Sequence, residues 1–316
     1  MRKTTPSGII LLCLTALIWG SSFVAQSIGI ESVDAFTFMA LRTILGTLVL
    51  LPVVLFMGDG IKSLLEKKTL RAGLILGAVF AVAQNLQQFA FYYSTSGKIA
   101  FLTAFYMFFV PLIGLFLGKK ILPATWIAIF MALAGLFLLC INPEDMGAIN
   151  KGDILAVACG FVYAFQIMLI DKYTGENING IKLSFLEFFT AAVLTSVMML
   201  IFEHPTVSGI KEAAPAIMYS GIMSCGIAYT LQILGQKHAS PVVASLIMCF
   251  ESVFAAVAGW VILGEALSAR ELIGCAVMFA AIILSQVFES MAMQKKSFAI
   301  ESEHIDMEGD IKNDQV

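Results

Sequence analysis

Long apolar stretches, each close to the length of a bilayer-spanning helix, follow one another along this chain with short polar breaks between them. Ten windows emerge: 8–28, 36–57, 71–93, 98–117, 123–141, 152–170, 182–202, 214–233, 241–263 and 269–290. A soluble protein of this length sets a charged face against each apolar one. Here the charged faces are missing, so the pattern predicts an all-α, polytopic membrane protein with ten transmembrane helices. One window holds "SLIMCFESVFAAVAGWVIL" (245–263), with a carboxylate, Glu251, near its middle. An uncompensated charge there costs several kcal/mol. That residue needs a reason.

Composition agrees with the pattern: 59% of residues are hydrophobic and 13% charged, against about a quarter charged in soluble domains. The net charge of −3 is supplied by residues 293–316 alone, where Glu301, Glu303, Asp306, Glu308, Asp310 and Asp314 face Lys295, Lys296 and Lys312. That segment lacks an apolar period and reads as a disordered, acidic, cytoplasmic tail; a regulatory or partner-binding tail is the other reading. No nucleic-acid partner is implied. Arg2 and Lys3 before the first window invite a signal-peptide reading. The window runs on to about residue 28 without a small-x-small cleavage site, so it reads as the first span. All six cysteines (Cys13, Cys140, Cys159, Cys225, Cys249 and Cys275) fall inside windows without a CxxC, and read as apolar fillers. His204, His238 and His304 lack ligand spacing. Neither metal nor cofactor is expected.

Lys and Arg set the orientation. With the N-terminus inside, fourteen basic residues collect on the cytoplasmic side, and Lys98, Lys151, Lys211 and Arg270 remain outside. Both termini are therefore expected in the cytoplasm, and short loops fit a prokaryotic inner, or cell, membrane. The halves also match at an offset of 144: "AVAQNLQQFAFYYSTSG" (81–97) lies over "CGIAYTLQILGQKHASP" (225–241), pairing Gln88 with Gln232 and Ser96 with Ser240. The same offset sets Trp19 over Tyr163 and Ser22 over Gln166. Five helices per repeat is an odd number, so the second repeat is inverted relative to the first. The expected division is 1–148, first repeat; 149–292, second repeat; and 293–316, tail. Inverted repeats recur in secondary transporters, with the site near midplane between them.

Several stretches, in this order and spacing, resemble the drug/metabolite transporter superfamily, specifically its EamA-like members, over residues 8 to 290. They are "ALIWGSSFVAQ" (16–26), "FMALRTILGTLVLLP" (38–52), "GKIAFLTAFYMFFVPLIGLFLGKK" (97–120), "GDILAVACGFVYAFQIMLIDKY" (152–173) and "ASPVVASLIMCFESVFAAVAGWVILGEALSARELIGCAVMFAAIIL" (239–284). Ser252 departs from the pattern, standing where such sequences commonly have proline after the glutamate of the ninth helix. The resemblance implies ten helices, with a central cavity lined mainly by helices 1, 3, 4, 6, 8 and 9. It places helices 5 and 10 at the periphery, and leans towards export of amino acids or metabolites.

Helical spacing of about 100° per residue puts Thr15, Trp19, Ser22 and Gln26 on one face of the first helix. Their counterparts Cys159, Tyr163, Gln166 and Ile170 share a face of the sixth. The third helix carries Gln84, Asn85, Gln87, Gln88 and Tyr92, and the eighth aligns Cys225, Tyr229, Gln232 and Gln236. Polar groups at matching depths fit a shared water-filled cavity; hydrogen-bonded glue between helices is the alternative. The cavity candidates are Trp19, Ser22, Asn85, Gln88, Tyr106, Tyr163, Gln166, Tyr229, Gln232 and Glu251. Three ionisable residues fall within the spans: Arg42, Glu187 and Glu251. Arg42 and Glu187 either snorkel towards headgroups or cap a polar cluster. Glu251, about 15 Å from the inner surface, is too deep to snorkel. It is half of a structural ion pair with Arg42, or a cavity carboxylate that holds a proton or a substrate amine.

Three functions compete. A secondary transporter for a small metabolite explains the repeats, the polar faces and the deep carboxylate. Without GxxxxGK[ST], a proton or the membrane potential is the economical driving force, with uncoupled facilitation also open. A membrane-embedded enzyme needs a nucleophile–base or metal set, and the chain has no HExxH, GxSxG or intramembrane histidine. A structural or receptor-like membrane protein leaves the duplicated amides unexplained. Transport is the expectation, with a small-molecule substrate and the lipid bilayer as partners, in a monomer or homodimer.

Overall fold

The computed structural model describes residues 4–56, 61–119, 121–141, 149–258, 260–261, 268–288 and 291. Ten helices in it are long and apolar enough to cross a membrane. They are α1 (Pro6–Ser32), α2 (Ala35–Phe56), α3 (Lys67–Ala90), α4 (Ser96–Phe116), α5 (Pro123–Cys140), α6 (Lys151–Gly175), α7 (Gly180–Phe202), α8 (Val207–Gln236), α9 (Pro241–Ala258) and α10 (Ala269–Phe288). Every apolar window became a helix, and the differences lie at the ends. Apolarity alone misses polar first turns: α8 starts at Val207 because Thr206 caps it, its hydroxyl accepting from the Gly209 N–H at 3.1 Å. Tyr92, read as part of the third helix, lies in a turn beyond its end. There its hydroxyl accepts from the Ala35 N–H at 3.0 Å and donates to Asp34. Burial, with Asp34 and Glu203 nearby, pushes the Tyr92 phenol up to about 12, so it keeps that proton.

The main contacts cross between the halves in matched pairs. α1 packs on α9 as α6 packs on α4; α1 meets α8 as α6 meets α3; α2 meets α8 as α7 meets α3; and α2 packs directly against α7. The core therefore sits between the halves. α5 and α10 flank it, adding Ile129, Leu136 and Met278 to the core; they are pressed together where Gly135 and Gly274 let the backbones approach, with Phe130 and Phe279 exposed on their outer faces.

Among the described residues two helices are interrupted by a turn, and they are equivalents. α4 breaks after Thr103 and resumes at Tyr106; α9 breaks after Met248 and resumes at Glu251. At each break the ladder tightens to shorter bonds: Met107 N–H to Ala104 C=O in α4, and Ser252 N–H to Cys249 C=O in α9. The breaks touch, with the Cys249 sulfur 3.9 Å from the Ala104 carbonyl, 145 positions away. α9 breaks with Ser252, not proline, after Glu251. Side-chain competition supplies a local cause: Ser245 Oγ donates to the Val242 carbonyl at 2.8 Å and Cys249 Sγ to the Ser245 carbonyl at 3.1 Å. A glycine from the opposite half braces each broken helix. A Cβ on Gly20 would lie 2.5 Å from the Glu251 carbonyl oxygen, and one on Gly160 2.5 Å from that of Thr103.

Candidate functional site

The breaks put two helix starts in the middle of the bundle, and their first side chains meet. Tyr106 opens the second half of α4 and donates its hydroxyl to Glu251 Oε1 at 3.4 Å; Glu251 opens the second half of α9. Both line a central cavity between the halves. Its aromatic wall is formed by Trp19, Tyr163 and Tyr229. The Tyr163 and Tyr229 hydroxyls lie 3.0 Å apart, and the Trp19 ring sits 4.5 Å from Tyr229 between centroids. Phe80 and Phe188 meet Tyr229 edge-on from behind and fix its plane. Towards the face of the bundle that carries the N-terminus, Gln166 and Gln232 also line the cavity and exchange amide hydrogen bonds at 3.4 and 3.1 Å. Ser22 completes the set of sequence candidates that the fold brings together.

Arg42 lines the same cavity from α2, a helix outside the six implied by the resemblance. The residue is 3% exposed, and its guanidinium donates to Ser224 Oγ at 3.0 Å and Cys225 Sγ at 3.3 Å. Both partners lie on a nine-residue π-helical stretch of α8, Ser220–Ala228. Neither charge on α2 nor that on α7 snorkels, since Glu187 is fully buried too. Of the two readings of Glu251, the ion pair with Arg42 is not formed: among the described residues neither group takes part in a salt bridge. α2 turns its arginine towards α8 instead.

Three candidates lie off the cavity. Asn85 ties α3 to α7, donating to Thr195 Oγ1 at 3.1 Å as well as to its own Ala81 carbonyl at 2.7 Å. Gln88, fully buried, reaches the Gln26 carbonyl of α1 at 3.4 Å. Glu187 accepts from Gln166 Nε2 at 2.9 Å and stands behind that residue. These serve as interhelical ties. Conversely, Gln26 and Gln87, among the polar residues picked out by helical spacing, do line the cavity, together with Thr103 and Ser224. Sequence gave no signal for Ser224: its counterpart at the repeat offset is Phe80.

Buried polar atoms usually find a partner. Trp19 Nε1, Ser22 Oγ and Gln26 Oε1, all on lining residues, have none among the described residues. The interior is small, about 30 Å³, which is room for a couple of waters. Ion pairs hold α4 to α6 near both faces: Lys119–Asp171 at 3.0 Å near the N-terminal face, Lys98–Asp153 at 2.7 Å near the far one. A larger recess of about 420 Å³ lies on the far side between α1, α4, α5, α9 and α10, and includes Ser252, the neighbour of Glu251.

Comparison with known proteins gives a consistent result. The model of the EamA-like transporter family matches this chain twice, over residues 6–141 and 150–286. An "Uncharacterized transporter" of Archaeoglobus fulgidus is 23% identical over 274 residues, covering 86% of this chain and 83% of its own. "Uncharacterized transporter YoaV" of Bacillus subtilis is 24% identical over 277 residues, covering 85% and 93%. A solved structure described only as "Crystal structure of protein" superposes with a TM-score of 0.77 at 19% identity, over 90% of this chain and 98% of that one. At that identity the likeness concerns the fold alone.

Proposed function

The chain belongs to the EamA-like transporter family, and from that premise we propose that it exports a small amphipathic metabolite, an amino acid or a related solute, by alternating access. The observation that carries this reading is the position of the cavity. It lies between the two halves, at the touching breaks of α4 and α9, with Glu251 on its wall. Rocking one half against the other would open such a cavity to each side in turn. The ion pairs at the two ends of the α4–α6 seam are suited to alternate: one parts while the other holds. The part of the seam that opens towards the cell is the face with both termini, on the basic-residue bias of the loops. The protein sits in the cytoplasmic membrane, its two repeats spanning 1–148 and 149–292, with an acidic cytoplasmic tail after them. We take it to act as a monomer or a homodimer.

Glu251 also offers a route to energy coupling. A carboxylate can hold a proton or a cargo amine, and exchange between them links export to proton entry; the membrane potential is the alternative driver. Purified protein in proteoliposomes, loaded with labelled amino acids, tests the reading directly. Efflux above that of protein-free vesicles, accelerated by an inward proton gradient, is the expected result. Absence of any flux across the amino acids and related metabolites sinks it.

A further inference from the structure

We infer that the central cavity recognises cargo by two opposite charges: Arg42 receives an anion and Glu251 a cation, so the cargo carries a carboxylate and an amine on one small framework. Translocation of that cargo rests on the transporter reading above; its binding does not.

The inference starts from what surrounds the guanidinium. Ser224 Oγ, Cys225 Sγ and, at 4.0 Å, Met39 Sδ are its acceptors, all of them neutral and two of them weak. A buried arginine with no counter-charge is costly, and its planar fork of donors matches a carboxylate. Glu251 is the mirror case. It is 4% exposed, accepts only the Tyr106 hydroxyl at 3.4 Å, and has no cation within ion-pair distance among the described residues. A basic and an acidic side chain thus line one cavity with no ion pair between them. A solute bearing both charges would satisfy the pair at once, whereas a simple anion or simple amine leaves one of them buried alone. The third intramembrane charge, Glu187, is taken by Gln166 behind the wall and stays out of the clamp. The unpartnered Trp19 Nε1 and Ser22 Oγ supply a further donor and acceptor beside the clamp. The cavity's small interior means that the halves part to admit such a solute.

Thermal melting of the full-length protein in lipid nanodiscs tests recognition apart from transport. Each of the twenty protein amino acids is added singly, then the amide and the N-acetyl form of whichever stabilises most. The amide lacks the carboxylate and the N-acetyl form lacks the amine. We expect one or more free amino acids to raise the melting temperature, with both derivatives binding about tenfold or more weakly. Arg42→Gln should abolish the preference over the amide, and Glu251→Gln the preference over the N-acetyl form. Equal binding of amide and amino acid overturns the role of Arg42, and equal binding of the N-acetyl form that of Glu251. A wild-type melt unmoved by all twenty, or moved equally by inorganic phosphate, overturns the clamp as a whole. The wild-type series decides even where a variant does not fold. Discriminating binding without flux in proteoliposomes keeps the clamp and removes the transporter reading.

Discussion

Arg42 and Glu187 stand at equivalent places in the two halves, separated by the same spacing as Tyr106 and Glu251, and they have opposite charges and opposite fates. Arg42 faces the central cavity, held by Ser224 and Cys225; Glu187 is closed off behind Gln166. The difference comes from the helix each one meets. Arg42 lies against the π-helical stretch of α8, whereas Glu187 lies against α3, which is regular α-helix through the equivalent region. A wider turn realigns side chains locally, and such stretches are frequent at functional sites. Duplication supplied two matching positions. Local helix geometry then left one charge facing the cavity and made the other a tie.

The sharpest way to break this comparison is Arg42→Met. If the arginine is kept for cargo, transport should fall to background while stability holds or rises by about 1–3 kcal/mol, because an unpaired buried charge has been removed. A loss of about 1.5–3 kcal/mol in the melt would instead show that its bonds to Ser224 and Cys225 are structural. Next in size are Gly20→Ala and Gly160→Ala. Each added methyl meets a carbonyl oxygen of a broken helix, so each should cost roughly 1–2 kcal/mol after the gain in helix propensity. Gly20→Ala meets three atoms closer than 3.0 Å and Gly160→Ala only one, so the Gly20 variant should lose more; the reverse order would show that the α4 break yields less than the α9 break.

Tyr106→Phe removes one long hydrogen bond to Glu251 and nothing of the packing. About 1 kcal/mol of stability should go, with a measurable drop in the apparent affinity for an amine-bearing cargo. Smallest of all is Glu187→Gln, which keeps an acceptor for Gln166. A melt within about 1 kcal/mol of wild type and flux within about twofold are expected. Loss of transport in this variant at normal stability would place Glu187 in the transport cycle and erase the contrast with Arg42.

The sequence by itself determined the number of spans, their order and the relation between the halves, because hydrophobic length and helical periodicity are local properties. It also settled that Trp19 and Ser22 share a face, as do Tyr163 and Gln166, since spacing within one helix decides that. Tertiary structure alone decided which polar faces became walls. Gln87 lines the cavity and its neighbour Gln88 does not, a difference of about 100° that depends on how α3 is rotated against α1. The breaks in α4 and α9, the π-helical stretch of α8 and the failure of Arg42 to reach Glu251 were equally out of reach. Short-range bonds from Ser245 and Cys249 favour the α9 break, but the partners these features meet are distant in the chain: Ser224 lies 182 positions from the arginine it holds, and Cys249 lies 145 from the carbonyl at the facing break. Helix periodicity fixes a side chain's direction only relative to its own axis, and packing against the other half fixes what that direction faces.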